Sequence, residues 1–193
     1  MTKLNLPNQI TAARLVISVL VFLAIMVGYF WWALILFLLA AGTDWVDGYV
    51  ARKYNLVTQL GRILDPFADK ILICGCFIFL AAEPNSEIEA WMTVVVVGRE
   101  LLVTALRSFL EQKGADFSST MSGKLKMVFQ CVAVVASLYL LTHQTTKPAY
   151  WLENLTLGIA LIAVFMTVKS GTEYVTKAIE LVHSEQDAAA RKK

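Results

Sequence analysis

Two short apolar runs, separated by a charged stretch, constrain the fold of this chain more than any other feature. Phe30–Ala41 and Ile71–Ala82 are each only 12 residues long. Twelve residues of helix rise about 18 Å, whereas the hydrocarbon core of a membrane is about 30 Å thick. If both runs cross a membrane, the first helix must continue through Asp44 and Asp47, and the second must begin near Gly61. The charged stretch is then carried into the membrane from one side.

The composition supports a membrane protein. Of the 193 residues, 58% are hydrophobic, and the mean hydropathy is +0.62, whereas soluble domains average about 45–50% apolar residues. The hydropathy pattern predicts an all-α integral membrane bundle of six transmembrane helices, in a single domain over 1–193, with a short interfacial segment before the first span. The predicted spans are 10–27, 30–47, 61–82, 89–113, 120–141 and a last helix that begins near 151 and passes 168.

The distribution of basic residues predicts the orientation. Six spans place both termini on one side, together with most of the lysines and arginines, including Arg52, Lys113 and the terminal Arg191–Lys193. Cytoplasmic loops carry an excess of Lys and Arg. We therefore expect a multi-pass protein of the cell (inner) membrane whose termini and acidic stretch face the cytoplasm.

Four aspartates mark the candidate site: Asp44, Asp47, Asp65 and Asp69. Each pair is three or four residues apart, so its two members share one side of a helix. Carboxylates beside hydrocarbon are costly and point to function. Two Mg²⁺ or Mn²⁺ ions would neutralise such a cluster and leave positions open for phosphate oxygens. The alternative is that the aspartates are interfacial charges paired with basic neighbours.

The same stretch has the pattern D-x2-D-G-x2-A-R-x8-G-x3-D-x3-D, which resembles the signature of the CDP-alcohol phosphotransferase family. Every fixed position matches, and six predicted helices extend the resemblance over nearly the whole chain. The matching residues are Asp44, Asp47, Gly48, Ala51, Arg52, Gly61, Asp65 and Asp69.

The resemblance implies a reaction and a set of roles. An alcohol attacks the β-phosphorus of a CDP-linked lipid, here CDP-diacylglycerol, and CMP leaves. The four aspartates would hold two divalent cations, with Asp69 also acting as the general base. Gly48, Arg52 and Gly61 would hold the cytidine diphosphate, with Thr58 as a further candidate. The family resemblance also implies a homodimer.

Two further stretches indicate the acceptor alcohol. The first is residues 5–14, and the second is 98–107 followed by 123–126; both are similar to family members that use glycerol 3-phosphate and to the related cardiolipin synthases. In these segments Asn8 and Thr11 would lie near the nucleotide, or would serve only as a helix cap and a first-turn hydroxyl. The residues that would bind the acceptor phosphate are Arg99, Arg107, Lys124 and Lys126. Alternatively, the lysines extend to lipid head groups and Arg99 pairs with Glu100. Met127 departs from the pattern of these members.

The sequence is also compatible with three other functions. A cardiolipin synthase of the same family would use phosphatidylglycerol as the acceptor. A cation-coupled transporter would use intramembrane acids to carry ions, although no chain of ionisable groups reaches the other side. A non-catalytic membrane scaffold is a third alternative, but it would not account for the energetic cost of four aspartates in the membrane.

Overall fold

The computed structural model describes residues 6–54, 59–112, 121–143 and 150–190, with side chains described except at 6–11, 43–54, 59–66, 111–112, 182 and 184–190. These ranges form six helices and no strand, which confirms the predicted all-α class. The helices are α1 (Leu6–Met26), α2 (Phe30–Tyr54), α3 (Gln59–Ala82), α4 (Ala90–Gln112), α5 (Met121–His143) and α6 (Tyr150–Ala190).

The two helices that carry the aspartates extend as the short apolar runs predicted. Helix α2 continues beyond Ala41 through Asp44 and Asp47 to Tyr54, and α3 begins at Gln59, before both of its aspartates. The acidic ends of these helices therefore belong to regular helix rather than to a loop.

Two helices differ from the prediction. Helix α1 begins at Leu6, so the predicted interfacial lead-in is already helical there. Pro7 is tolerated because the first turn of a helix has no intrahelical partner for its N–H groups. Helix α6 has 41 residues, or about 62 Å of helix, which is roughly twice the thickness of a hydrocarbon core. Its C-terminal part must therefore extend beyond any membrane that its first part crosses.

Tight backbone turns join α1 to α2. Gly28 has a φ of 80°, a conformation that suits glycine after the end of a helix. Its N–H donates to the carbonyl oxygen of Ile25 at 2.9 Å, and the N–H of Tyr29 donates to that of Ala24 at 2.8 Å. These bonds satisfy carbonyl groups at the end of α1 and allow α2 to start at once.

Helix α1 packs against α2 and α3, while α5 packs against α2, α3 and α6, and α4 packs against α3 and α6. The main core lies between α1, α2, α3 and α5 and includes Val21, Phe37, Phe77 and Leu138, all fully buried. Close approach of α1 to α3 depends on Gly75, since the ring of Phe22 occupies the space that a side chain would need.

The distribution of polar side chains suits a protein in lipid. Many apolar side chains lie exposed on the outside of the bundle, including Val16, Leu39 and Leu101, whereas Arg14, Glu100, Lys126 and Gln130 are buried. Polar groups in a membrane protein face the interior, because hydrocarbon offers them no hydrogen-bond partner. The helices and this pattern together indicate a membrane protein.

Among the described residues, two helices are long and apolar enough to cross a membrane. They are Met121–His143, with a mean hydropathy of 1.8, and Tyr150–Leu181, with 1.7. The described apolar parts of α1 and α2 are Ala12–Met26 and Phe30–Gly42.

Candidate functional site

Asp69 lies on α3 and forms an ion pair with Arg14 of α1. The Nη1 atom of Arg14 is 2.7 Å from Oδ1 of Asp69, and the two side chains are 3% and 25% exposed, respectively. Ser18, one turn further along α1, donates a hydrogen bond to the carbonyl oxygen of Arg14 at 2.8 Å. Arg14 had no predicted role, although a cation inside the first apolar run is a signal for one.

A cavity of about 140 Å³ adjoins Asp69 and is called the inner cavity below. Its lining residues are Asp69, Lys70, Ile73, Glu100, Lys126, Met127 and Gln130. Lys126 is only 6% exposed, and its Nζ forms an ion pair with Oε1 of Glu100. It therefore does not extend to the surface, as it would if it served lipid head groups.

A second cavity, of about 240 Å³, lies beside the first and is called the basic cavity. Four cationic side chains line it: Lys70, Arg99, Arg107 and Lys124. Glu100 is the one carboxylate among its described lining residues. Such an excess of positive charge in a partly enclosed space favours a multiply charged anion.

Helix α6 holds the two arginines of the basic cavity. Nη2 of Arg99 donates to the hydroxyl of Ser170 at 2.6 Å, and its guanidinium carbon lies 5.4 Å from the centre of the Tyr174 ring. A methyl group on Gly171 would lie 3.2 Å from Cγ of Arg99, so this glycine leaves room for the arginine stem. Nη2 of Arg107 donates to the Tyr174 hydroxyl at 3.4 Å, a long hydrogen bond.

Each of these two arginines has an N–H donor that lacks a hydrogen-bond partner among the described residues. The Nε atoms of Arg99 and Arg107 are buried and have no hydrogen-bond partner in the described part of the structure. Buried N–H groups are normally paired, so these two atoms are exceptions, and both belong to side chains that line the basic cavity.

The two cavities lie toward one end of the bundle. The opposite end carries exposed aromatic side chains, namely Tyr29, Trp31, Trp32, Tyr150 and Trp151. Tryptophan and tyrosine are enriched at membrane interfaces. Along α4, the lining residues Arg99 and Arg107 lie about 14 and 26 Å from its start at Ala90, whereas Tyr174 lies about 35 Å from Trp151 along α6. The basic cavity therefore extends from about the middle of a membrane-spanning helix toward the end opposite the aromatic side chains.

Several predicted site residues lie outside the described side chains. Asp44, Asp47, Gly48 and Arg52 are on α2, Gly61 and Asp65 are on α3, and Asn8 and Thr11 are on α1. Thr58 lies outside the described residues altogether. Asn8 is inside the first turn of α1 rather than before it, so it is not the N-cap residue. The roles of all these residues stay predictions.

The chemistry of the predicted metal ligands fits a hard divalent cation, because all four supply carboxylate oxygens. Of the four, Asp69 has a described side chain, and its carboxylate borders the inner cavity. The described side chains contain no group of three or more histidine, cysteine, aspartate or glutamate residues that could hold a metal. The metal-ligand set of four aspartates that the motif implies stays a prediction.

Two residues that the sequence did not point to also shape the site. Lys70 donates from Nζ to the hydroxyl of Thr104 at 2.5 Å and lines both cavities. Tyr174 touches both arginines of the basic cavity. Lys70 follows directly after the last aspartate of the motif, which could have revealed it. Tyr174 carries no local signal, because only the packing of α6 against α4 brings it here.

The fold and the site together define an all-α protein with helices of membrane-spanning length and a cation-lined cleft beside a carboxylate. A sequence model described as CDP-alcohol phosphatidyltransferase matches residues 4–170. The chain belongs to this family, which confirms the resemblance found in its motif.

Named relatives are similar over almost their whole length. A protein of Bacillus subtilis (strain 168) is 40% identical over 195 residues, covering 90% of this chain and 94% of its own. One from Rickettsia bellii (strain RML369-C) is 36% identical, with coverages of 88% and 93%. One from Shigella flexneri serotype 5b (strain 8401) is 30% identical, with coverages of 90% and 94%. Each is named CDP-diacylglycerol–glycerol-3-phosphate 3-phosphatidyltransferase.

Proposed function

We propose that this chain is a CDP-diacylglycerol–glycerol-3-phosphate 3-phosphatidyltransferase. It transfers the phosphatidyl group of CDP-diacylglycerol to the sn-1 hydroxyl of glycerol 3-phosphate, giving phosphatidylglycerol phosphate and CMP. The family membership and the names of three relatives support the assignment.

One observation carries the choice of acceptor. The basic cavity has four cationic side chains and adjoins the inner cavity, which Asp69 lines. A small acceptor with a dianionic phosphate at one end and a hydroxyl at the other suits such a pair of cavities. Arg99, Arg107 and Lys124 bind its phosphate, since guanidinium and ammonium groups form charge-assisted hydrogen bonds to phosphate oxygens. Lys126 contributes its charge from the inner cavity.

Asp69 acts as the general base. A hydroxyl is a weak nucleophile at neutral pH, and a positioned carboxylate assists by accepting its proton. The acceptor oxygen forms a bond to the β-phosphorus, the bond from that phosphorus to the oxygen bridging the two phosphates breaks, and CMP leaves with the electron pair. The ion pair with Arg14 fixes the orientation of the Asp69 carboxylate, which favours a productive geometry.

The remaining motif residues hold the CDP-linked lipid and the divalent cations. Asp44, Asp47, Asp65 and Asp69 hold two Mg²⁺ or Mn²⁺ ions, which when bound stabilise negative charge on phosphate oxygens. The residues that hold the cytidine diphosphate portion are Asn8, Thr11, Gly48, Arg52, Thr58 and Gly61.

In the membrane, we propose six spans with both termini and the site on the cytoplasmic side. The basic cavity opens away from the aromatic end of the bundle, and its cationic residues Arg107 and Lys124 lie in the half of α4 and α5 farther from that end, which supports a site toward the other interface. This position is accessible to a water-soluble acceptor and also to a lipid whose head group lies at the same depth. We propose a homodimer, as the family resemblance implies, whose contacts would involve outward apolar side chains.

The test is an acceptor panel with purified protein and CDP-diacylglycerol, read out as CMP release. We expect release with glycerol 3-phosphate in the presence of Mg²⁺ or Mn²⁺, and none when both are removed by a chelator. Release with phosphatidylglycerol but not glycerol 3-phosphate would instead identify a cardiolipin synthase. Cation flux in liposomes without CMP release would instead favour a cation-coupled transporter.

Asp69→Asn tests the base directly. We expect CMP release to fall by at least about 100-fold, since general base catalysis contributes roughly 10²–10⁴-fold. Asp187→Asn is the matched control, because Asp187 lies on α6, about 20 Å beyond Tyr174 along the helix. Full activity of Asp69→Asn would refute the assignment of the base.

A further inference from the structure

Glu100 occupies the junction between the two cavities. Three described residues line both of them: Lys70, Glu100 and Met127. Asp69 lines the inner cavity alone, whereas Arg107 and Lys124 line the basic cavity alone. A molecule that spans the two cavities must therefore place its middle part against these three shared side chains.

The shared side chains differ in what they offer to a ligand. Met127 offers an apolar thioether, and Lys70 offers only hydrogen-bond donors. The ionised carboxylate of Glu100 is a hydrogen-bond acceptor only. Of the three, Glu100 is therefore the side chain suited to receive a hydrogen bond from a hydroxyl group.

Two cations hold the carboxylate of Glu100 through one of its two oxygen atoms. Glu100 is 7% exposed, and its Oε1 atom is paired with Nζ of Lys126 and with Nη1 of Arg99 at 3.2 Å. Both contacts use Oε1, and the described residues form no hydrogen bond to Oε2. Two cations thus hold the carboxylate through one oxygen, which leaves the other oxygen for a ligand.

We propose that Glu100 is a specificity-determining residue that accepts a hydrogen bond from the middle hydroxyl of a three-carbon phosphorylated acceptor. The inference rests on the proposed function and names the part of the acceptor that this side chain recognises. Glycerol 3-phosphate has this sn-2 hydroxyl between its reacting hydroxyl and its phosphate. A site built around a hydroxyl discriminates strongly against an analogue that lacks it, because a buried polar group is then left unpaired.

The test compares glycerol 3-phosphate with 3-hydroxypropyl phosphate, which has the same reacting hydroxyl and the same phosphate but no middle hydroxyl. We expect kcat/KM of the wild-type protein to be about 10- to 100-fold higher for glycerol 3-phosphate, the range for a hydrogen bond to a charged group. In Glu100→Gln this preference should fall to below about one third of its wild-type value, because the amide forms a weaker hydrogen bond than the carboxylate.

A second variant covers the case in which Glu100→Gln does not fold. Removing one member of a buried ion pair is strongly destabilising, whereas replacing both by apolar residues of similar volume is often tolerated. The double variant Glu100→Leu with Lys126→Met applies this rule. Both variants are compared with Glu153→Gln, which changes an acid near the start of α6, about 25 Å along the helix from Ser170, and which should keep the full preference.

The outcomes separate this inference from the proposed function. CMP release from both acceptors with an undiminished preference in a folded Glu100 variant overturns the inference alone. Equal use of both acceptors by the wild-type protein does the same. If Glu100 only held the neighbouring cations in place, both acceptors would lose activity equally, and the preference would not change. The absence of CMP release with glycerol 3-phosphate overturns the proposed function and this inference with it.

Discussion

Replacing Gly75 by alanine should loosen the contact between α1 and α3. A methyl group at this position would lie 2.2 Å from Cζ and 2.5 Å from Cε1 of Phe22, far inside van der Waals contact. The Phe22 ring is stacked on Phe79, with ring centres 5.1 Å apart and an angle of 16° between the planes. The ring must therefore move, and its stacked partner must move or lose contact with it.

The size of the effect follows from three contributions. Overpacking a core costs about 1–3 kcal/mol, and losing the aromatic pair costs about 0.5–1.5 kcal/mol. Alanine recovers about 1 kcal/mol relative to glycine inside a helix. The net loss in the free energy of unfolding is then about 2 kcal/mol, and a protein of this size should melt about 4–8 °C lower.

Thermal unfolding of the detergent-solubilised protein measures this loss. Gly158→Ala is the matched control, because a methyl group there meets nothing within 4 Å, and its melting temperature should not fall. The decisive comparison introduces Gly75→Ala into a Phe22→Ala background, where the obstructing ring is gone and the substitution should be neutral or stabilising. Equal losses in both backgrounds, or a Gly75→Ala protein as stable as the control, would refute the steric argument.

Three further predictions concern charged groups. Arg14→Met should lower kcat about 10- to 100-fold, because Asp69 loses the cation that orients it, with Arg14→Lys as the partial-rescue control; an unchanged kcat for CMP release would contradict this. Lys126→Met should reduce the free energy of unfolding by about 3 kcal/mol, the lower end of the range for breaking a buried ion pair, because Glu100 keeps its contact with Arg99. Lys124→Met, at an exposed position, should mainly raise the KM for glycerol 3-phosphate, and equal melting temperatures of the two variants would count against this difference. Burial and the negative charges of neighbouring glutamates raise the pKa of Glu87 in the α3–α4 loop. Protonated Glu87 therefore stabilises the folded state at low pH, and this contribution to the free energy of unfolding is lost as the pH rises through the pKa of the folded state. Glu87→Gln should therefore raise the melting temperature at pH 7 but not below about pH 4, where the group is protonated in both states, and a gain that is the same at both pH values would be inconsistent with the shift.

The sequence determined the class of the fold and the extent of most helices because those features depend on local patterns. Apolar runs of 12 residues were too short to cross a membrane, so their continuation through Asp44 and Asp47 could be predicted from length alone. The bounds of α4 and α5 agree with the prediction within one or two residues. The motif identified the family because its fixed positions lie close together in the chain.

The sequence was less informative about the ends of α1 and α6, where the residue pattern is compatible with both helix and loop. Gly171 is a residue typical of helix ends, yet α6 continues past it to Ala190. The first helix was predicted to begin at residue 10, whereas α1 begins at Leu6, since polar residues near a membrane surface are compatible with helix as well as with loop. The interfacial position of this segment stays a prediction.

Only the tertiary structure decided which charged groups meet. Arg14 and Asp69 are 55 positions apart, and Arg99 and Ser170 are 71 apart, so no local spacing could pair them. The same holds for Lys124 and Lys126, which looked equivalent in the sequence until the packing of α5 buried one and left the other exposed. Local patterns specify helices because their interactions span a few residues. The contacts of one helix depend on how the five other helices pack. That packing placed Glu100 between Asp69 of the inner cavity and the cationic side chains of the basic cavity.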